Sequence, residues 1–260
     1  MKLSRIKYIV IAGIIAVATI ILNTFRESGK SYHPRDFEEI VSSGVLRAVT
    51  EYNSLSYHVE GDTIEGYDYK LLQAFASAKG LTLEVTPEMS YESRLIGVCS
   101  GQYDILATGT AITAQHKDSL LFTIPIHKSR QVLVQRELKE ETDSLFIRNH
   151  IDLAGRTLYI VKESPSRLRI NNIISEIADT IYTKEIEDYG PEQLLAMVSA
   201  GDIDYAVCDE STALGIIEMF PNLDISTELG FTQLYAWAVN KKSTALLDSL
   251  NSFLKSIVEK

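Results

Sequence analysis

The chain has 260 residues, 45% of them apolar, and its 35 acidic and 25 basic side chains give a formal net charge of −10. This composition is typical of a globular protein with one or two domains and excludes a disordered chain. The acidic balance and the lack of any dense run of Lys and Arg argue against a nucleic-acid partner.

Residues 1–25 have the pattern of a signal anchor or a signal peptide. An apolar stretch runs over 8–22 and follows three basic side chains with no acidic one among them. Its length lies just below the roughly 17 to 25 residues of a spanning helix and near the upper end of a signal-peptide core. The apolar run continues past the candidate cleavage site Ala16-Val-Ala18, which favours an uncleaved anchor with the body outside the cytoplasm. Residues 26–43 are predicted as a polar tether and a first helix.

Two α/β units follow along the chain. The first is predicted as helix 36–43, strand 45–50, helix 69–79, strand 81–86, helix 90–100 and strand 104–107. The second is predicted as strand 156–161, helix 166–179, strand 180–184, helix 191–200 and strand 204–207. Extended segments are expected at 131–135 and 234–239, and a final helix at 245–255. Alternation of this kind predicts parallel sheets with right-handed crossovers.

The end of each unit carries the same motif, one hundred residues apart. Residues 95–107 and 195–207 both contain the last turns of an amphipathic helix, a glycine, a short turn and a buried strand. The glycine is expected to end the helix in a left-handed conformation. A duplicated unit predicts two similar lobes with a cleft between them, joined by the two extended segments as a hinge.

Elements in this order resemble the family-3 periplasmic solute-binding proteins, the type with two crossover strands. Four motifs are similar to the non-catalytic, solute-binding-like domain of membrane-bound lytic transglycosylase F: Leu55-Ser-Tyr57, Gly66-Tyr-Asp-Tyr69, Phe75-Ala76 and Asp104-Ile-Leu-Ala107. The resemblance implies a two-lobed α/β fold of type II behind an N-terminal hydrophobic helix. It places lobe 1 at 44–128 plus 234–260 and lobe 2 at 129–233.

The function implied by this resemblance is capture of a small polar ligand, such as an amino acid, a peptide or a cell-wall fragment, for transport or sensing. The expected location is the periplasmic side of the inner membrane, or the periplasm if the anchor is cleaved. Expected partners are the ligand and either an ABC permease or a cell-wall component. No room is expected after the return helix for a lysozyme-like catalytic domain, so transglycosylase activity is not carried over. The alternatives are a dehydratase-like enzyme of the same fold and a regulatory relative of transglycosylase F.

Ligands of α/β lobes bind at the carboxyl ends of strands, where loops and helix N-termini present unpaired N–H groups. That rule and the resemblance select ten candidate ligand-binding residues: Tyr52, Tyr57, Asp68, Thr108, Gly109, Thr110, His116, Ser164, Ser166 and Asp209. Asp209 matches the position at which amino-acid binders of the family hold the ligand's ammonium group.

Several of these residues have a purely structural alternative. Ser164 and Ser166 precede a helix that either hydroxyl could cap. Asp68 could likewise be an N-cap, and the tyrosines could pack at the rim of the cleft.

His116 departs from the family pattern. Amino-acid binders usually carry Thr-x-x-Arg here, with the Arg as a bidentate clamp on the ligand's α-carboxylate. In this chain the motif is Thr113-Ala-Gln-His116, and imidazole cannot form that fork. The missing arginine therefore favours a peptide, a cell-wall fragment or another small solute over a free amino acid as the ligand. A solvated loop histidine without a ligand role is the alternative.

Metal and cofactor sites are not indicated. The five histidines and two cysteines show no metal-binding spacing, and no nucleotide or nucleophile-elbow motif occurs. No catalytic residue, metal or cofactor is predicted. Cys99 and Cys208 are expected as two buried free thiols, because a disulfide between lobes would freeze the cleft.

Overall fold

The computed structural model describes residues 32–111, 118–138, 145–187 and 189–258. The chain divides into two compact units, 1–33 and 34–260, and the structure given below belongs to the second. The apolar segment 8–22, predicted as an anchor, lies outside the described residues. Within the described part, no helix has the length and apolarity needed to cross a membrane.

The elements alternate as the sequence predicts. In chain order they begin with α1 (Phe37–Ser43), β1 (Val45–Thr50), β2 (His58–Glu60), β3 (Thr63–Glu65), α2 (Tyr67–Ala78), β4 (Thr82–Pro87), α3 (Tyr91–Ser100), β5 (Ile105–Ala111), β6 (Leu120–Phe122) and β7 (His127–Ser129). They continue with β8 (Gln131–Arg136), β9 (Thr157–Val161), α4 (Ser166–Ile177), β10 (Tyr182–Ile186), α5 (Pro191–Ala200), β11 (Ala206–Asp209), α6 (Glu210–Ile216), β12 (Leu223–Asp224), β13 (Gln233–Asn240) and α7 (Thr244–Val258). Short 3₁₀ helices lie at His150–Leu153 and Ile217–Met219.

Two sheets share one topology. The first has the order β4-β1-β5-β13-β6, with β7 also paired to β13. The second has the order β10-β9-β11-β8-β12. In each sheet three parallel strands are followed by an antiparallel strand that comes from a distant part of the chain. The chain crosses between the sheets after β7 and again before β13.

The duplicated motif has the predicted local structure. Gly101 follows α3 with φ 83° and Gly201 follows α5 with φ 88°, both in the left-handed region that favours glycine. The aspartate three residues after each glycine precedes the strand of its motif, and its carboxylate binds arginine side chains. Asp104 pairs with Arg47 at 2.8 Å and with Arg35, and Asp204 pairs with Arg136. The repeated aspartate therefore fixes the start of a strand rather than contacting the cleft.

Each sheet has its own apolar core. Phe75, Trp237 and Leu250 are fully buried beside the first sheet, and Leu158, Ile173 and Leu195 are fully buried beside the second. Burying a side chain of this size contributes roughly 1.5–3 kcal/mol. Each sheet and its helices therefore enclose a core of their own.

The structure corrects two boundaries that matter for the site. Thr108, Gly109 and Thr110 were expected in a loop after the third strand but belong to β5, where Thr110 is opposite Ala236 of β13. Asp209 was expected beyond its strand but is the last residue of β11. In both cases an antiparallel neighbour from far along the chain supplies hydrogen bonds that extend the strand.

Both cysteines are free thiols, but only one of them is buried. Cys208 lies in β11 with 3% of its surface exposed, whereas Cys99 is exposed on the last turn of α3. The expectation that both are buried is wrong for Cys99, because the outer face of α3 turns this position away from the first sheet.

Candidate functional site

Two adjoining cavities lie between the facing ends of the two sheets. The Ser164 cavity, lined among others by Tyr91, Arg94 and Ser164, has an open volume of about 580 Å³. The His127 cavity, lined among others by Asn53 and His127, has an open volume of about 410 Å³. Six residues line both cavities: Glu51, Thr108, Gly109, Pro191, Asp209 and Tyr235. Because these six come from both sheets, the two cavities form one cleft.

Asp209 is the carboxylate at which the two cavities meet. Its neighbour across the strand pair is Gln131 of β8, whose Nε2 donates to Asp209 Oδ1 at 2.7 Å. The phenol of Tyr235 donates to the same oxygen, and Ser166 Oγ donates to Oε1 of Gln131. These bonds fix the carboxylate through one oxygen. Its Oδ2 accepts no hydrogen bond from the described residues and is available to a ligand.

The electrostatics of Asp209 favour a cationic partner. Burial raises the pKa of Asp209 to about 7; the charge of Glu51 raises it as well, and the hydrogen bonds from Tyr235 and Gln131 lower it. At neutral pH the carboxyl is thus divided between charged and neutral forms. A cation placed beside it favours the charged form, so binding of an ammonium ion would ionise the carboxyl.

A stacked pair of rings forms the wall next to Asp209. Tyr235 and His127 lie with ring centroids 5.0 Å apart and planes 13° from parallel. Gly109 leaves room for this pair, since a Cβ at position 109 would lie 2.5 Å from His127 Cε1. Burial lowers the pKa of His127, which favours the neutral imidazole. The wall is therefore a flat pair of stacked rings.

Glu51 and Arg94 form an ion pair on the opposite side of the Ser164 cavity. Nη2 of Arg94 lies 3.0 Å from Glu51 Oε2, and only 4% of the arginine is exposed. Nη1 donates to the backbone carbonyls of Glu88 and Met89, at 2.5 and 3.0 Å. Carbonyl contacts of this kind fix the guanidinium, so the pair is a rigid part of the wall.

Two buried polar atoms in the Ser164 cavity have no hydrogen-bond partner among the described residues, Ser164 Oγ and Arg94 Nε. An unpaired buried polar atom costs about 1–3 kcal/mol. The first turn of α4 has no side-chain cap either, because Pro165 is its N-cap residue and Ser166 Oγ bonds Gln131 instead. The capping alternative for the two serines is therefore not observed. A ligand with acceptor groups could satisfy the serine, the arginine and the helix terminus together.

Contacts across the cleft hold the two sheets together on either side of the cavities. Ser54, in the loop after β1, donates from its backbone N and from Oγ to Glu192 Oε1 of α5, at 2.8 and 2.6 Å. Near the crossing, the backbone N–H of Ser211 in α6 donates to Ser129 Oγ of β7 at 3.1 Å. The structure thus shows a cleft whose two sides touch.

Six of the ten predicted site residues line this cleft: Thr108, Gly109, Thr110, Ser164, Ser166 and Asp209. Tyr52 and Tyr57 lie outside both cavities and pack edge to face with ring centroids 6.3 Å apart. His116 lies outside the described residues.

Asp68 is buried beneath the cleft rather than lining it. Its two oxygens accept from Trp237 Nε1 at 2.7 Å and from Ser56 Oγ at 2.8 Å. It is not a helix cap, because Gly66 is the N-cap residue of α2.

Sequence reasoning missed several residues of the cleft. Gln131, Tyr235 and His127 lie on strands that join their sheets from distant parts of the chain, so no local motif marks them. Tyr91 and Arg94 fit an ordinary amphipathic helix. The only available signal for Arg94 was a charged residue on the apolar face of α3, beside the buried Val98. Among the described residues, no cluster of His, Cys, Asp and Glu could hold a metal ion.

Comparison with known proteins assigns the fold. The model of the family described as bacterial extracellular solute-binding proteins, family 3, matches residues 46–260. The arginine-bound form of truncated ArgBP from T. maritima superposes with a TM-score of 0.72 at 24% identity, covering 85% of this chain and 100% of that one. The ancestral amino-acid-binding protein AncCDT-1, a precursor of cyclohexadienyl dehydratase, gives a TM-score of 0.74 at 19% identity, covering 86% and 93%. The periplasmic-binding-protein-like fold predicted from the sequence is confirmed.

The chain is also similar to a longer enzyme. It is 28% identical over 221 residues to the membrane-bound lytic murein transglycosylase F of Photobacterium profundum. The match covers 84% of this chain but only 41% of the relative, so the chain spans less than half of that enzyme's length. The predicted resemblance to a transglycosylase F domain is confirmed.

Proposed function

We propose that this chain, which belongs to family 3 of the bacterial extracellular solute-binding proteins, captures a small polar ligand carrying an ammonium group in the cleft between its two sheets. Candidate ligands are an amino acid, a short peptide and an amino-bearing cell-wall fragment. The observation that carries the proposal is Asp209, held through one oxygen by Gln131 and Tyr235 while the other oxygen is available.

The rest of the cleft suits the other end of such a ligand. The uncapped first turn of α4 and the unpartnered Ser164 Oγ offer donors to a carboxylate or carbonyl group. On the opposite wall the Thr110 hydroxyl of β5 donates to the Thr108 carbonyl at 3.2 Å, and that carbonyl keeps a second lone pair that can accept from an ammonium group. His116 remains a predicted contact of an anionic group.

Ligand capture is proposed to close the cleft by a hinge at the two crossings between the sheets. The lobes proposed for this motion are 44–128 plus 234–260 and 129–233, the bounds that the family resemblance implies. A ligand touching Asp209 on one side and Thr108 on the other would stabilise the closed form, because it makes both contacts only when the cleft is closed.

The role proposed is binding without catalysis, for transport or sensing outside the cytoplasm, with segment 8–22 as membrane anchor. Arginine bound to ArgBP supports an amine ligand, and the similarity to transglycosylase F supports a cell-wall fragment. An ABC permease would be the partner in transport and the cell wall in sensing.

A thermal-shift screen of residues 32–260 with amino acids, dipeptides and muropeptides tests the proposal, because a ligand that binds only the folded state raises its apparent stability. A ligand that stabilises the protein without being consumed supports capture. Turnover of that ligand, abolished by Asp209→Asn, would show an enzyme instead.

A further inference from the structure

Arg94 gives the Ser164 cavity a property that ammonium capture at Asp209 does not require. Its guanidinium lies in the cavity wall with Glu51, and its Nε has no partner among the described residues. Arginine stays protonated at any pH a protein tolerates, so this positive charge is permanent. A permanent cation in the wall of a ligand cavity affects which ligands the cavity accepts.

The charges lining the Ser164 cavity are two carboxylates, Glu51 and Asp209, and one guanidinium, Arg94. The salt bridge at 3.0 Å compensates Glu51 and leaves one carboxylate unmatched. One unmatched carboxylate suits a ligand with one ammonium group. A second positive charge on the ligand would have no free carboxylate partner in this cavity, because Glu51 is already paired with Arg94.

The second sheet's side of the cleft covers this ion pair. Only 5% of the Arg94 side chain and 15% of the Glu51 side chain are exposed, and Gly190 on the second sheet's side lies next to Glu51 and Met89. With the cleft sides in contact, water has little access to the pair, and charges there are weakly screened. Like charges brought together in such a place are strongly unfavourable.

We infer that Arg94 is the specificity-determining residue of this site: it excludes ligands with a cationic side chain and admits those whose side chain is neutral or accepts a hydrogen bond. The inference rests on the proposed ammonium site at Asp209. An acceptor on the ligand side chain would bond Arg94 Nε, whereas a guanidinium or ammonium group there would face the charge of Arg94.

The test compares ligands that differ in side-chain charge but little in shape, L-arginine with L-citrulline and L-lysine with L-norleucine, by titration calorimetry on the full chain. The wild type is expected to bind the neutral member at least about tenfold more tightly. In Arg94→Met the unpaired Glu51 should accept the cationic side chain, moving the ratio at least about tenfold toward arginine and lysine. The double variant Glu51→Gln/Arg94→Met should bind both members alike and keeps the inference testable if an unpaired Glu51 destabilises the single variant.

Arg136→Met is the matched control, because Arg136 also bonds two backbone carbonyls and one carboxylate but lines neither cavity. It should keep the wild-type ratio. A ratio that is the same in the wild type and in Arg94→Met overturns the inference, while binding that still depends on Asp209 leaves the proposed function standing. If none of the four ligands binds any folded variant, the inference is overturned. The proposal that the ligand is an amino acid is then overturned as well.

Discussion

Tyr235 of the first sheet donates a hydrogen bond from its phenol to the Asp209 carboxylate of the second. The bond joins β13, the last strand of the first sheet in chain order, to the end of β11, where the proposed ammonium site lies. It also lowers the pKa of Asp209, against a larger increase from burial. A contact that bridges the cleft therefore also adjusts the charge of the residue proposed to bind the ligand.

Ligand affinity should depend on pH with a defined sign. An ammonium ligand binds the ionised form of Asp209, whose pKa is about 7, so affinity should increase as pH rises from about 5.5 to about 8. Calorimetric titrations across this range measure the slope. In Tyr235→Phe the midpoint should move to higher pH, because a hydrogen bond that lowers the pKa is removed.

A histidine clamp at His116 would give the opposite slope. If His116 holds a ligand carboxylate, affinity should weaken as pH rises over the same range, since imidazole loses its charge there. The profile of His116→Gln separates the two effects. An unchanged profile in this variant excludes His116 from the site, and a flat profile in His116→Gln would contradict the role of Asp209.

The stability of the ligand-free protein should also fall as pH rises. Burial raises the pKa of Asp68 to about 6 and that of Asp209 to about 7. Between about pH 4 and pH 7 the folded protein thus keeps protons that the unfolded chain releases, so the free energy of unfolding decreases with increasing pH. Asp68 is only 4% exposed. Its raised pKa alone lowers the free energy of unfolding by about 3 kcal/mol over this pH range.

Urea denaturation of the wild type and Asp68→Asn at pH 4.5 and pH 8 measures this effect. The asparagine keeps an acceptor for Trp237 and a partner for Ser56, so the variant should lose less stability between the two pH values than the wild type. Asp248→Asn, an exposed site on α7, is the control and should behave as the wild type. Equal pH dependence in all three proteins would contradict the assignment.

Gly109→Ala should destabilise the protein by roughly 1–3 kcal/mol, because the added methyl group overlaps the His127 ring. Thermal or urea denaturation measures the change. In a His127→Ala background the same substitution should cost much less, since the obstructing ring is gone. If Gly109→Ala destabilises the His127→Ala protein as much as the wild type, the added methyl group does not act through the His127 ring.

Local patterns in the sequence were enough to predict the framework. The helix, glycine and strand that recur around Gly101 and Gly201 are encoded within about a dozen residues, and the parallel order of β1, β4 and β5 follows from their alternation with helices. The ends of the strands were less predictable. β5 continues through Thr110 because β13, more than one hundred residues away, pairs with it.

The chemistry of the site was predictable only in part. Asp209, Ser164 and Ser166 follow or precede recognisable elements, so their position at the cleft could be expected. Gln131 and Tyr235, which orient the carboxylate, lie on strands whose neighbours no local pattern reveals. Asp68 shows the opposite outcome. Its motif predicts a ligand-binding residue, but its carboxylate is buried and accepts hydrogen bonds from Trp237 and Ser56.

The proposed capture of an ammonium group at Asp209 is tested most directly by titrating the wild type at pH 8 with the ligand found by screening and with its N-acetyl derivative. Acetylation removes the positive charge but also adds an acetyl group, and the comparison with Asp209→Asn separates the loss of charge from the added size. The account predicts that the derivative binds at least about a hundredfold more weakly, and that Asp209→Asn, but not Asp248→Asn, loses affinity for the free amine to a similar degree. Equal binding of the amine and its N-acetyl derivative by the wild type would contradict it.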